Sequence, residues 1–127
     1  MKAISTVNAP AAIGPYSQAQ HCQGLVWCSG QIALDPATGE LVDEDVQAEA
    51  RQVLRNLAAV LEAAESGLQY VLRATVYLTD LNDFAAVNEV YAEAFGDHRP
   101  ARACVEVSRL PKGVRVEISC VARSTRA

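Results

Sequence analysis

The sequence predicts an α+β fold, a single mixed β-sheet with two helices packed on one of its faces. Three observations lead there. Two segments repeat apolar residues at three- and four-residue spacing, which is the period of an amphipathic helix. Strand-like runs rich in β-branched and aromatic residues surround them, in the order β-β-β-α-β-α-β-β. The length of 127 residues suggests one domain spanning 1–127, long enough to bury a core.

Turn residues at Gly14-Pro15, Gln23-Gly24 and Asp35 to Gly39 bracket the strand-like "LVWCSGQIAL" and predict a hairpin around Gly24, followed by a loop at "DPATGE". The first helix follows, with Val46, Ala50, Val53, Leu54, Leu57, Val60, Leu61 and Ala64 on one stripe. Asp43, Glu44 and Asp45 suit its positive N-terminal end, and Gly67 suits its stop. Glu49, Arg51, Gln52, Arg55 and Glu62 form a polar face whose simplest reading is solvation. "YVLRATVYLT" predicts a strand. "LNDFAAVNEVYAEAFG" predicts the second helix, with Asn82 as N-cap, a stripe of Phe84, Val87, Tyr91, Ala94 and Phe95, and Gly96 at its end. "ARACVEVSR" and "VRVEISCVAR" predict two strands, and "LPKG" between them predicts a turn that makes them a hairpin.

Two helices cover only one side of a sheet. Trp27 and Tyr77 are candidates for the other side, and an apolar sheet face left bare implies a partner, for which closed symmetric self-assembly is the default.

Composition narrows the function. Net charge is −4 and the pI about 5.1, with no basic run, so phosphate-backbone binding has no electrostatic footprint. The N-terminus lacks an apolar signal region and no apolar run approaches a membrane span, which predicts a cytoplasmic protein. Cys22, Cys28, Cys104 and Cys120, with His21 and His98, show no metal-ligand spacing. Free thiols are expected, with Cys28 and Cys120 as small buried hydrophobes and His98 on the surface.

The chemistry concentrates near the C-terminus. Alternation puts Arg102, Cys104, Glu106 and Ser108 on one side of the first strand, and Arg115, Glu117 and Ser119 on one side of the next. In a hairpin these polar faces coincide. Such a surface is either water-facing, with weak ion pairs, or a small anion site. Patterning alone favours the first. In the second, Arg102 grips a carboxylate through its planar fork and Glu117 handles protons. Cys104 lacks an obvious activator beyond Arg102, which suits a supporting role.

"NAPAAIGPYSQA", "SGQIALDPATGEL", "DLNDFAAVNEVYAEAF" and "PARACVEVSRLPKGVRVEI", in that order and over nearly the whole chain, resemble the Rid family of reactive intermediate deaminases. The resemblance implies a chorismate-mutase-like α+β fold and a homotrimer whose sheets form a central barrel, with active sites in clefts between subunits. It implies hydrolysis of enamines and imines such as 2-aminoacrylate and 2-iminopropanoate, released by pyridoxal-phosphate enzymes, to 2-oxo acids and ammonia. No metal or organic cofactor is implied. Arg102 falls on the arginine that binds the substrate carboxylate, and Glu117 on the acid that positions water. Tyr16 and Ser29 match further pocket residues, Cys104 a pocket cysteine, and Asn88 a largely structural helix asparagine.

Two departures stand out. Arg99 occupies a place before "PAR" where an aromatic residue is common, in a short loop, and Ser119 stands where many members carry a second glutamate. Two other functions stay open: a trimeric binding module for 2-oxo acids without turnover, and the RNA cleavage attributed to some relatives, which the acidic charge disfavours.

Overall fold

A computed structural model describes residues 1–126. Strands β1 (Lys2–Ile4), β2 (Ala19–Cys22), β3 (Leu25–Gln31), β4 (Val71–Leu78), β5 (Ala101–Glu106) and β6 (Val116–Arg123) form one sheet in the order β1-β2-β3-β6-β4-β5. Helices α1 (Val46–Ala63) and α2 (Phe84–Phe95) interrupt it in sequence. The element order is the expected one.

The expected β2–β3 hairpin forms around Gln23 and Gly24, both at positive φ (52° and 78°) as a tight two-residue turn requires. The expected C-terminal hairpin does not form. β5 lies parallel to β4, β6 lies antiparallel to it, and β4 separates the two. The reason is the crossover: β4, α2 and β5 make a strand–helix–strand unit, and a helix-length connection brings the next strand back parallel. Residues 107–115 then carry the chain to the far side of β4.

Register fixes the faces. Ala74, Val76 and Leu78 of β4 align with Arg102, Cys104 and Glu106 of β5, and with Cys120, Ile118 and Val116 of β6. This side carries the helices. Val26, Val76, Leu78, Val116 and Ile118 pack there against Val53, Leu57, Val60 and Leu61 of α1, all buried. Each such side chain contributes about 1.5–3 kcal/mol. The opposite side presents Trp27, Arg73, Thr75, Tyr77, Val105, Glu117, Ser119 and Val121 with no cover, and Trp27 is 52% exposed.

Helix ends differ from expectation in two places, the stop of α1 and the cap of α2. Asp45 caps α1, its side chain accepting from the Ala48 amide at 2.8 Å. The helix closes at Ala64, and Glu65 rather than Gly67 takes the left-handed conformation (φ 58°). Asn82 does not cap α2. It lies in a 3-10 turn, Leu81–Asp83, where Asp80 accepts from its amide, and Gly96 ends the helix as expected.

The polar face of α1 is not all solvated. Glu49 is 1% exposed and Gln52 and Asn56 are buried with it. Glu49 accepts from the Arg115 amide at 2.9 Å and from its guanidinium, while Asn56 donates to the carbonyls of Ile32 (3.1 Å) and Leu34 (3.0 Å). Apolar periodicity missed these residues because the loops after β3 and before β6 fold over the helix flank, and their backbone groups need partners.

Candidate functional site

Glu117 projects from β6 onto the uncovered sheet face, beside its register partner Tyr77. Its carboxylate leans over β3 at a bulge between Cys28 and Gln31, where β3 spends one residue more than β6. Gly30 sits in that bulge. A Cβ there would collide with the Glu117 carboxylate and lie 3.1 Å from Cγ, so the absent side chain is what admits the acid. Half-burial pushes the Glu117 carboxyl above its ordinary value, because charge is costly away from water.

Around this acid is a cavity of about 320 Å³ lined by Ile13, Tyr16, Gly30, Ile32, Lys112 and Glu117, among others. Tyr16, expected in the site, is 53% exposed here. Ser29 does not line the cavity; its hydroxyl donates to the Ser17 carbonyl at 2.6 Å, and its amide to the Gln18 carbonyl at 3.0 Å. It therefore anchors the segment that carries Tyr16. Buried Gln18 completes that anchor, its amide nitrogen donating to Thr6 and Pro10 carbonyls (3.1 and 2.7 Å) and its oxygen accepting from the Thr6 amide at 2.7 Å.

Arg102 lies elsewhere, on the helix-bearing side of edge strand β5. Three residues of α2 hold it. Nη1 donates to Asn88 Oδ1 at 2.7 Å, and the guanidinium carbon stands 4.8 Å from the Tyr91 ring centre and 5.5 Å from that of Phe84. Positions 84, 88 and 91 share one helix face. Asn88, expected as a structural residue, thus touches the arginine directly. Among the described residues Arg102 has no carboxylate partner. It is oriented and still available to an anion.

Cys104 is half-buried on the same side, with burial pushing its thiol up and Arg102 pulling it partly back. A protonated thiol is a poor nucleophile, which suits the supporting role. His98 is not a free surface group; its Nε2 makes a 2.6 Å hydrogen bond with the Val71 carbonyl. Cys28 and Cys120 are buried as expected, directly opposed across β3 and β6, and the facing Cys120 thiol together with burial pushes the Cys28 thiol up. No group of three or more His, Cys, Asp or Glu among the described residues could hold a metal ion.

Within one chain, then, Arg102 and Glu117 are on opposite faces with β4 between them. The facing polar hairpin expected from alternation does not exist. Sequence reasoning missed Gln18, Glu49 and Asn56, whereas "CSGQ", with Gly30 beside Ser29, reads as a tight backbone approach, a weak signal by itself. A glycine inside a strand pattern carries that signal of a bulge or close approach, and the structure has both at Gly30.

The profile of the endoribonuclease L-PSP family matches residues 6–124. A RutC family protein of Pyrococcus horikoshii is 56% identical over 119 residues, 94% of each chain. The 2-iminobutanoate/2-iminopropanoate deaminase of Salmonella typhimurium is 52% identical over 124 residues, 95% of this chain and 96% of the relative. The crystal structure of Escherichia coli TdcF with bound serine superposes with a TM-score of 0.94 at 45% identity, covering 98% of this chain and all of that one. With a matching profile over nearly its whole length and relatives at half identity or better, the chain belongs to the endoribonuclease L-PSP family, the same Rid family that its motifs resemble.

Proposed function

We propose that the protein is an enamine/imine deaminase that hydrolyses 2-iminobutanoate, 2-iminopropanoate and similar imino acids to 2-oxo acids and ammonia. The observation that carries this is Arg102, a guanidinium held by Asn88 and two aromatic rings yet left without a carboxylate. A short 2-imino acid supplies the missing anion. Relatives named for this activity, at about half identity, support the same reading.

The reaction is R–C(=NH)–COO⁻ + H₂O → R–CO–COO⁻ + NH₃. Water adds to the imine carbon, and the C=N electron pair moves to nitrogen, which takes a proton. In the resulting carbinolamine the O–H proton passes by way of Glu117 to the amine nitrogen as the C–N bond breaks, so that the C=O forms and ammonia leaves. Glu117 suits both transfers, since a carboxyl raised by burial keeps its proton to a higher pH and, once ionised, is the stronger base. Positioning supplies the rest for an intrinsically easy hydrolysis.

Arg102 and Glu117 must meet the same substrate, and one chain keeps them on opposite faces. The proposed active form is the homotrimer that the family resemblance implies, in which bare sheet faces pack together and Arg102 of one copy meets the Glu117 cavity of a second. Tyr16 belongs to that cavity, Ser29 supports it, and Cys104 flanks the carboxylate site. No cofactor enters the scheme. No helix among the described residues is long and apolar enough to cross a membrane, which is compatible with a cytoplasmic site of action.

A threonine dehydratase reaction, coupled to this protein, tests the proposal through the rate of imine loss. Wild type should accelerate it, and Arg102→Ala, folded by its melting curve, should not. Equal acceleration by the variant would overturn the reading. Binding of 2-oxobutanoate with no acceleration by wild type would favour the non-catalytic binding module instead. RNA cleavage, as the family's description suggests, would have to proceed on a chain of net charge −4.

A further inference from the structure

The short loop after α2 has its own architecture. The His98 amide donates to the Phe95 carbonyl at 3.1 Å, and the His98 ring is tied to Val71 at the start of β4. Arg99, next in the chain, folds back over the helix end. Its Nη1 donates to the carbonyls of Gly96 and His98, the latter at 3.3 Å. Its remaining nitrogens have no hydrogen-bond partner among the described residues.

This brings Arg99 to the edge of a cavity of about 490 Å³ that Arg102 also lines, together with Asn88, Tyr91, Phe95 and His98. The space is far larger than a three- or four-carbon acid fills. It carries two guanidinium groups, no carboxylate lines it, and neither arginine is in an ion pair among the described residues. Paired cations without a counter-charge repel each other until an anion enters.

Tyr91 walls the cavity with its ring, and its hydroxyl is turned into the core. The residue is 7% exposed, with its ring 4.5 Å from that of Phe95, and its hydroxyl is buried with no hydrogen-bond partner. Buried hydroxyls nearly always find one. Burial pushes this phenol up in spite of Arg102.

We infer that this cavity accepts the acidic side chain of a dicarboxylic 2-imino acid, with Arg102 on the α-carboxylate and Arg99 on the distal one. Two or three carbons separate the carboxylates in imines derived from aspartate or glutamate, and their hydrolysis yields a dicarboxylic 2-oxo acid and ammonia. The inference rests on the deaminase reading for its chemistry but not for its binding geometry.

The test generates both imines in situ, from aspartate and from 2-aminobutanoate, with flavin-dependent amino-acid oxidases. It reads the ratio of kcat/KM for the dicarboxylic over the monocarboxylic imine. Arg99→Met should lower that ratio roughly tenfold or more, and Arg99→Lys should restore part of it. An unchanged ratio in Arg99→Met, or failure of wild type on the dicarboxylic imine alone, would overturn the inference. Should wild type accelerate neither imine, the deaminase reading fails, and calorimetry decides the cavity separately. There 2-oxoglutarate should bind more tightly than 2-oxobutanoate in wild type and lose that advantage in Arg99→Met; equal affinities would overturn the inference.

Discussion

Glu117 combines a carboxyl group with partial burial on a sheet face, and its protonation follows from that. Because its folded pKa lies above its ordinary value, the folded protein holds this proton more tightly than the unfolded chain. The penalty on stability is absent below the ordinary carboxylate range and complete above the raised pKa. Glu117→Gln should therefore melt no lower than wild type at neutral pH, with any advantage vanishing as the pH falls through that window. The same variant should lose imine hydrolysis by about a hundredfold or more, in the range of general acid–base contributions. Wild-type kcat should show a limb at a pH above the ordinary carboxylate range that Glu117→Gln lacks. Melting curves and pH–rate profiles on the two proteins check both parts.

At the scale of elements, the bulge in β3 decides where that carboxylate points. The Gly30 backbone is not in the left-handed region, so alanine fits the backbone and disturbs only the side chain across from it. Gly30→Ala should keep the melting temperature within a few degrees and reduce kcat roughly tenfold or more by displacing the Glu117 carboxylate. Circular dichroism melts beside steady-state rates distinguish displacement from unfolding. Helix α1 holds the other side of the cavity through its buried polar residues. Asn56→Ala leaves the Ile32 and Leu34 carbonyls without their donor, and buried groups so stranded cost about 1–3 kcal/mol each. A fall of about 2–4 kcal/mol in chemical denaturation is expected.

For the whole molecule, the bare sheet face is the governing feature. Trp27 at its centre is half-exposed in the single chain. If three copies close around this face, Trp27→Asp buries a charge without a partner and should shift sedimentation from trimer to monomer. Activity should fall with it, although Arg102 and Glu117 are both intact, because the two come from different copies in the proposed site. A monomeric variant with full activity would sink the shared-site arrangement.

Several features were legible before any coordinates. Helix periods, the Gln23-Gly24 turn, the Gly96 stop and the order of elements all depend on near neighbours in the chain. So do the candidate residues, since residue chemistry and motif are local properties. Pairing is not local. "ARACVEVSR" and "VRVEISCVAR" carry the turn residues of a hairpin, yet a parallel partner across α2 takes the first strand and leaves β4 between the two. Glu49 reads as a solvated helix acid and becomes a buried acceptor because Arg115, distant in sequence, arrives with an amide that needs it. The sequence by itself determined the elements and nominated the candidate residues. Only the tertiary structure decided that Arg102 and Glu117 face opposite ways, that Gly30 makes room for the acid, and that Arg99 shares a cavity with Arg102. These are outcomes of strand register and loop closure, and their energies come from contacts between residues far apart in the chain.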